Sequence, residues 1–246
     1  MSNGVILYEG PSALDGAPIV VIATGLDGRT RNEKTGAMVQ TWIMRQDVPP
    51  HVAVKTGQDA SVCGDCIHRP ANGGSCYVKV FQAPLSVWNA YRRGVYARPA
   101  APFADLFAGR MVRLGSYGDP AAAPLALWLD VTFKAAGWTG YTHQWRVAEP
   151  GFQRLCMASA DSPEEALEAR AAGWRTFRVR ADATAEPLEP KREFVCPASK
   201  EAGYRTDCAA CRACMGTAAK AKASPVIIAH GAIARRFIVR RVAAAA

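Results

Sequence analysis

The chain has no long apolar run. No stretch approaches the roughly 18 uncharged apolar residues that a membrane span needs. Its first residues, MSNGVILYEG, lack the basic start and extended apolar core of a secretory signal. The expectation is a cytoplasmic protein, whose thiols stay reduced. Common catalytic signatures are missing too. There is no phosphate-binding G-x-x-x-x-G-K, no G-x-G-x-x-G between strand and helix, no H-E-x-x-H and no G-x-S-x-G. These absences remove the usual nucleotidase, dehydrogenase, metalloprotease and hydrolase assignments.

What is present is cysteine and positive charge. The 246 residues include eight cysteines, and 30 Lys+Arg against 21 Asp+Glu give a net charge of +9. The excess is concentrated in residues 51–100 and 201–246, which surround two groups of cysteines. Such surfaces attract phosphates, whether on nucleic acid or on a nucleotide. An apolar share of 50% with 21% charged residues excludes wholesale disorder.

Patterning predicts strands over 18–24, 38–46, 111–115, 139–145, 154–158, 174–180, 194–196 and 226–230. Helices are expected over 84–93, 120–136 and from Pro163 to Gly173. Ser162, Pro163 and Glu165 form a capping-box start for the last of these. Residues 57–76 read as a Cys-rich loop and 182–192 as another loop. Alternating strands and helices indicate an α/β fold with a parallel sheet. With fewer helices than strands, the form expected is an incomplete or distorted βα barrel. It is read as one domain over 1–242, with Cys-rich insertions at 57–80 and 196–216 and a frayed tail at 243–246. Reactive groups in such folds collect at the C-terminal strand ends. Ser116, Tyr117 and Asp119 follow one strand and Thr142, His143 and Gln144 the next. Ser159 and Asp161 follow a third, then come Cys196 and His230.

The cysteines divide into a trio, a single residue and a quartet. Cys63, Cys66 and Cys76 are spaced C-x2-C-x9-C; Cys196, Cys208, Cys211 and Cys214 are spaced C-P-x10-C-x2-C-x2-C. An x2 spacing brings two sulfurs to one centre around a tight turn. The quartet echoes the ferredoxin pattern for a four-iron cluster, with structural zinc as the alternative. The trio has two possible completions. His68 or His51 would make a Cys3His zinc site. Alternatively, three thiolates would hold a four-iron cluster whose open iron chelates S-adenosylmethionine. Arg69, Lys79, Arg92 and Arg93 accompany the trio, and Lys200, Arg205 and Arg212 the quartet; cations there offset thiolate charge. Cys156, inside an apolar run, reads as a core residue.

Several segments together resemble a family of tailed-phage proteins. They are Cys63/Cys66/Cys76-Tyr77, the run Arg113–Asp119, Tyr141-Thr142, and Cys196-Pro197-Ala198 followed by Cys208, Cys211-Arg212-Ala213-Cys214. The likeness spans residues 60–216, and the terminal run is its most specific part. Its cysteine layout is similar to radical S-adenosylmethionine barrels with an auxiliary cluster. More distantly, it is similar to zinc-bearing base-exchange barrels that modify guanine in nucleic acid. The resemblance implies a phage protein in the host cytoplasm. It also implies a catalytic cluster bound by Cys63, Cys66 and Cys76 with Tyr77 beside it, and an auxiliary centre on the quartet.

The expected function is a metalloenzyme acting on a nucleotide or nucleic-acid base. Asp119, His143, Ser116, Ser159 and Asp161 would line its catalytic site, and Asp119 or His143 would move protons. One alternative is a zinc enzyme that exchanges or modifies a base, with Asp119 as nucleophile or base. The other is a metal-stapled nucleic-acid-binding protein with no enzymatic activity. Arg235-Arg236 and Arg240-Arg241 read as a solvated face of the last element.

Overall fold

The computed structural model of the protein describes residues 3–28, 33–231 and 233–245. Among the described residues there are nine strands: β1 (Gly4–Pro11), β2 (Pro18–Thr24), β3 (Val39–Arg45), β4 (Met111–Tyr117), β5 (Gly137–Thr142), β6 (Met157–Ala160), β7 (Thr176–Arg180), β8 (Glu193–Val195) and β9 (Ser224–Ile228). Eight α-helical segments accompany them: α1 (Pro50–Thr56), α2 (Ala60–Cys63), α3 (Ala83–Arg92), α4 (Leu125–Phe133), α5 (Phe152–Leu155), α6 (Pro163–Ala171), α7 (Cys208–Cys211) and α8 (Ala234–Ala245). The strands form one sheet in the order β1-β2-β3-β4-β5-β6-β7-β9-β8. The sheet is open, with β1 and β8 as its edges among the described residues.

The fold is therefore mixed α/β, and its sheet is mostly parallel. The first two pairings, β1 with β2 and β2 with β3, are antiparallel; the six that follow are parallel. The expectation of a wholly parallel sheet fails at β1–β2 for a reason of chain length, and at β2–β3 although residues 25–38 between them exceed a dozen. Only residues 12–17 separate β1 from β2, which permits a hairpin, whereas a parallel return needs a crossover of a dozen residues or more. From β3 onward such crossovers exist. β2 reads as an unbroken apolar run because it is buried on both faces, with Ile19 to Ala23 inaccessible to solvent.

Several boundaries differ from expectation. The 120–136 helix is a 3-10 turn at Pro120–Ala122 followed by α4, because Pro124, which has no N–H, interrupts the helix. The strand expected to reach Trp145 stops at Thr142, whose Oγ1 accepts the Gln144 N–H at 2.9 Å and turns the chain. Residues 152–155 are helical rather than extended. The Cys156 N–H closes the turn onto the Phe152 carbonyl, and the Leu155 carbonyl accepts the Trp138 indole N–H. The 57–76 segment is not loop throughout, since α2 and a 3-10 turn at Pro70–Asn72 lie within it. Residues 243–245 end α8 instead of fraying, in keeping with the high helix propensity of alanine.

The start of α6 forms as its sequence dictates. The Ser162 hydroxyl accepts the Glu165 N–H at 3.1 Å, while Glu165 reaches back to the Asp161 N–H at 2.7 Å. No helix among the described residues is long and apolar enough to cross a membrane.

Candidate functional site

Side chains alternate across a strand, so every second residue of neighbouring strands shares one face. Arg113, Gly115 and Tyr117 of β4 lie on the same cavity wall as Thr139 and Tyr141 of β5 and Ser159 of β6. Phe177 and Val179 of β7 and Pro225 and Ile227 of β9 continue that wall. The intervening residues, among them Val112, Leu114, Ala158 and Ala160, are buried elsewhere in the core. The cavity measures about 250 Å³.

All seven cysteines of the trio and the quartet line this one cavity. They arrive from opposite ends of the chain, since the trio belongs to the β3–β4 crossover and the quartet follows β8. The backbone explains the x2 spacings. Gly64 takes a positive φ of 56° between Cys63 and Cys66; Arg212 takes 54° between Cys211 and Cys214. Burial pushes the Cys63 thiol well above its ordinary value, and the neighbouring thiols Cys66 and Cys76 add to the effect. Cys214 is pushed up to about 12, mainly by burial. Without metal these groups hold their protons, so a bound metal must displace them.

The trio and quartet do not form a single-ion set. Among the described residues, the only three metal-ligating atoms within 4.8 Å of one another belong to His68, His143 and Asp161. His68 does not complete the trio. Its Nε2 lies 2.8 Å from Asp161 Oδ1 and its Nδ1 2.8 Å from Ser75 Oγ. His51 sits on α1 and is not part of the cavity wall.

Of the strand-end residues, Ser116, Asp119, His143 and Ser159 line the cavity and Asp161 does not. Asp119 is buried, and burial raises its pKa. Its Oδ1 accepts the Ala121 N–H at 2.9 Å and its Oδ2 accepts the His143 N–H at 2.8 Å. His143 Nε2 lies 3.1 Å from Asp161 Oδ2. Burial alone would lower the His143 pKa, but Cys66 and Asp161 outweigh it and hold it up. Burial would raise Asp161, yet His143 and His68 hold it below the usual carboxylate range. The two histidines line the cavity and Asp161 sits behind them. Ser116 donates its hydroxyl to Gln40 Oε1 at 2.6 Å, and Ser159 presents its side chain to the cavity.

Of the expected cations, Arg69 interacts with Cys63 and Cys66. Arg69 pairs with buried Asp59 at 2.7 Å. Lys79, Arg92, Arg93, Lys200, Arg205 and Arg212 do not line the cavity. Arg113 and Lys34 do. The Arg113 Nη2 donates to the Tyr77 hydroxyl at 3.1 Å, while its buried Nε has no hydrogen-bond partner. The Tyr77 ring packs 5.1 Å from His230, whose Nε2 lies 3.3 Å from Lys34 Nζ. Sequence reading missed Arg113 and Tyr141 as cavity residues. The signal for them is the two-residue period of β4 and β5, which places them on the face of Tyr117 and Thr139. Comparison with family models, with curated proteins and with solved structures finds no match for this chain.

Proposed function

We propose that the protein is a metalloenzyme with two thiolate-ligated centres facing one ligand cavity, acting on a nucleotide or a nucleic-acid base. One observation carries the reading: seven cysteines from two distant segments line the same cavity. Cys63, Cys66 and Cys76 would hold a four-iron cluster with one open iron, and Cys196, Cys208, Cys211 and Cys214 an auxiliary centre. Bound there with S-adenosylmethionine, a cluster of this kind supplies radical chemistry.

Convergence of β4, β5, β6, β7 and β9 on one cavity supports an incomplete barrel, and the likeness to the phage family rests on the same cavity residues. Reduced thiols suit a cytoplasmic setting, the host cytoplasm for a phage protein.

The chain's own residues have definable tasks. Arg113 is a half-buried cation in the cavity whose buried Nε has no hydrogen-bond partner and which has no carboxylate partner among the described ion pairs, which supports an anionic ligand such as a phosphate. Asp119 positions His143 through its backbone N–H. Ser116, Ser159 and His143 present polar groups to the ligand space. The zinc base-exchange alternative needs Asp119 as nucleophile or base, and both of its oxygens already accept backbone N–H bonds.

Anaerobic purification tests the reading. A brown protein with broad absorption near about 400 nm and about four irons with sulfide per centre is expected. A colourless protein with stoichiometric zinc in both cysteine sets would overturn the iron–sulfur assignment.

A further inference from the structure

Behind the cavity wall, two imidazoles converge on one carboxylate. His68 Nε2 is 2.8 Å from Asp161 Oδ1, and His143 Nε2 is 3.1 Å from Asp161 Oδ2. Bonds of about 2.1 Å to a divalent ion place neighbouring donors about 3.0 to 3.4 Å apart, depending on whether the site is octahedral or tetrahedral. The two separations, to different oxygens of the carboxylate, are 2.8 Å, just under that range, and 3.1 Å, within it. All three donor atoms fall within 4.8 Å of one another.

One donor ring is held from behind by a side chain, and the other two residues are anchored through their backbone N–H groups. His68 Nδ1 lies 2.8 Å from Ser75 Oγ. The Asp161 backbone N–H donates to Glu165 Oε2 at 2.7 Å. The His143 backbone N–H donates to Asp119 Oδ2 at 2.8 Å. A partner on the second ring nitrogen, as Ser75 is to His68, fixes ring direction and tautomer in metal sites. The three residues come from three separate segments, so their convergence is set by the tertiary fold and not by local spacing.

We propose that His68, His143 and Asp161 form a third metal site, which binds one divalent ion through two imidazoles and a carboxylate. Nitrogen and oxygen donors favour harder ions than thiolates do, so this site and the cysteine sets select different metals. A two-histidine, one-carboxylate set suits iron(II), and manganese(II) is a close substitute. With a metal on both Nε2 atoms, the remaining proton of His68 sits on Nδ1 and is donated to Ser75. The site goes beyond the two thiolate centres and does not depend on their identity.

Manganese(II) alone is the probe. The full-length protein is purified anaerobically and treated briefly with a chelator that leaves thiolate-bound metal in place. It is then titrated with Mn²⁺ while the six-line spectrum of the free ion is followed by paramagnetic resonance. One equivalent is expected to bind, and Asp161→Asn should weaken binding by more than about 100-fold, since loss of a mere orienting partner costs 10- to 100-fold. His68→Asn should do the same, and Ser75→Ala should weaken binding about 10-fold. Circular dichroism on each variant, with iron, sulfide and zinc content of the same samples, separates unfolding and loss of the thiolate centres from loss of this site. A folded wild-type protein that leaves the Mn²⁺ spectrum unchanged would overturn the proposal. So would a folded Asp161→Asn protein that binds as tightly as wild type. Absence of iron with one-equivalent Mn²⁺ binding would sink the iron–sulfur reading and leave this site standing.

Discussion

Asp119 holds His143 by its backbone: Oδ2 accepts the His143 N–H at 2.8 Å while Oδ1 accepts from Ala121 at 2.9 Å. One buried carboxylate therefore ties the end of β4 to the end of β5 and fixes where the His143 ring begins. Replacing Asp119 with alanine leaves two N–H groups without this acceptor, each worth about 1–3 kcal/mol when buried. We expect Asp119→Ala to lower unfolding free energy by about 2–4 kcal/mol in denaturant titrations. A change below about 0.5 kcal/mol would show that the carboxylate has no anchoring role.

The acid limb of stability should depend on Glu193. Its carboxylate meets Arg178 at 2.6 and 2.9 Å with both side chains almost fully buried. Burial pushes Glu193 up, but Arg178 outweighs it and holds it below its ordinary value. A lowered carboxyl pKa contributes stability above the unfolded value, about 4.3, and loses it as pH falls through the folded value. Glu193→Gln should cost about 1.5–3 kcal/mol at neutral pH, because it removes the two-bond carboxylate partner of a buried guanidinium that keeps Glu186 at 3.4 Å. The variant should also show a flatter stability profile below about pH 4.3. An unchanged acid limb would remove Glu193 as its source.

The eighth cysteine should be separable from the other seven. Cys156 is fully buried, and its sulfur lies where a side chain on Gly140 would collide, 2.7 Å from the ideal Cβ position. Cys156→Ala should leave metal content unchanged and cost about 1 kcal/mol from the lost sulfur packing. Cys211→Ser should instead remove metal from the quartet while the trio keeps its own. Metal analysis of the two variants side by side checks both outcomes; metal loss in Cys156→Ala would contradict its assignment to the core.

Gly115 should tolerate no side chain. It adopts φ of 71°, and an added Cβ would lie 2.5 Å from the Gly118 carbonyl oxygen. Gly115→Ala should destabilise the protein by more than about 1 kcal/mol, combining a left-handed backbone with a steric clash. The residue sits on the cavity wall between Arg113 and Tyr117, so ligand affinity should fall with stability. A variant as stable as wild type by thermal melting would show that the turn can relax.

Removing the Arg113 charge tests the anionic ligand. Arg113→Gln should raise the dissociation constant for a phosphate-bearing ligand by about 10-fold or more, in line with about 1.5–3 kcal/mol for a charge-assisted hydrogen bond. Its effect should shrink as salt increases if the guanidinium remains partly hydrated. Equal affinity in calorimetry for the two proteins would place the anion elsewhere.

Local elements and the chemical inventory are legible in the amino-acid order alone. The apolar run of β2, the capped start of α6 and the x2 cysteine turns each follow from forces acting within a few residues. The number of thiols and their two groupings were equally legible. Local signals also misled where a neighbour intervened: Pro124 divided an Ala/Leu-rich helix, and Trp138 took the Leu155 carbonyl from a prospective strand. Only in three dimensions does it emerge that the trio and quartet share a cavity, that Arg113 and Lys34 rather than the sequence-adjacent cations line it, and that His68 meets Asp161 across 93 residues. Sheet order and register set those meetings. They arise from pairings between distant strands, which no spacing within one segment encodes.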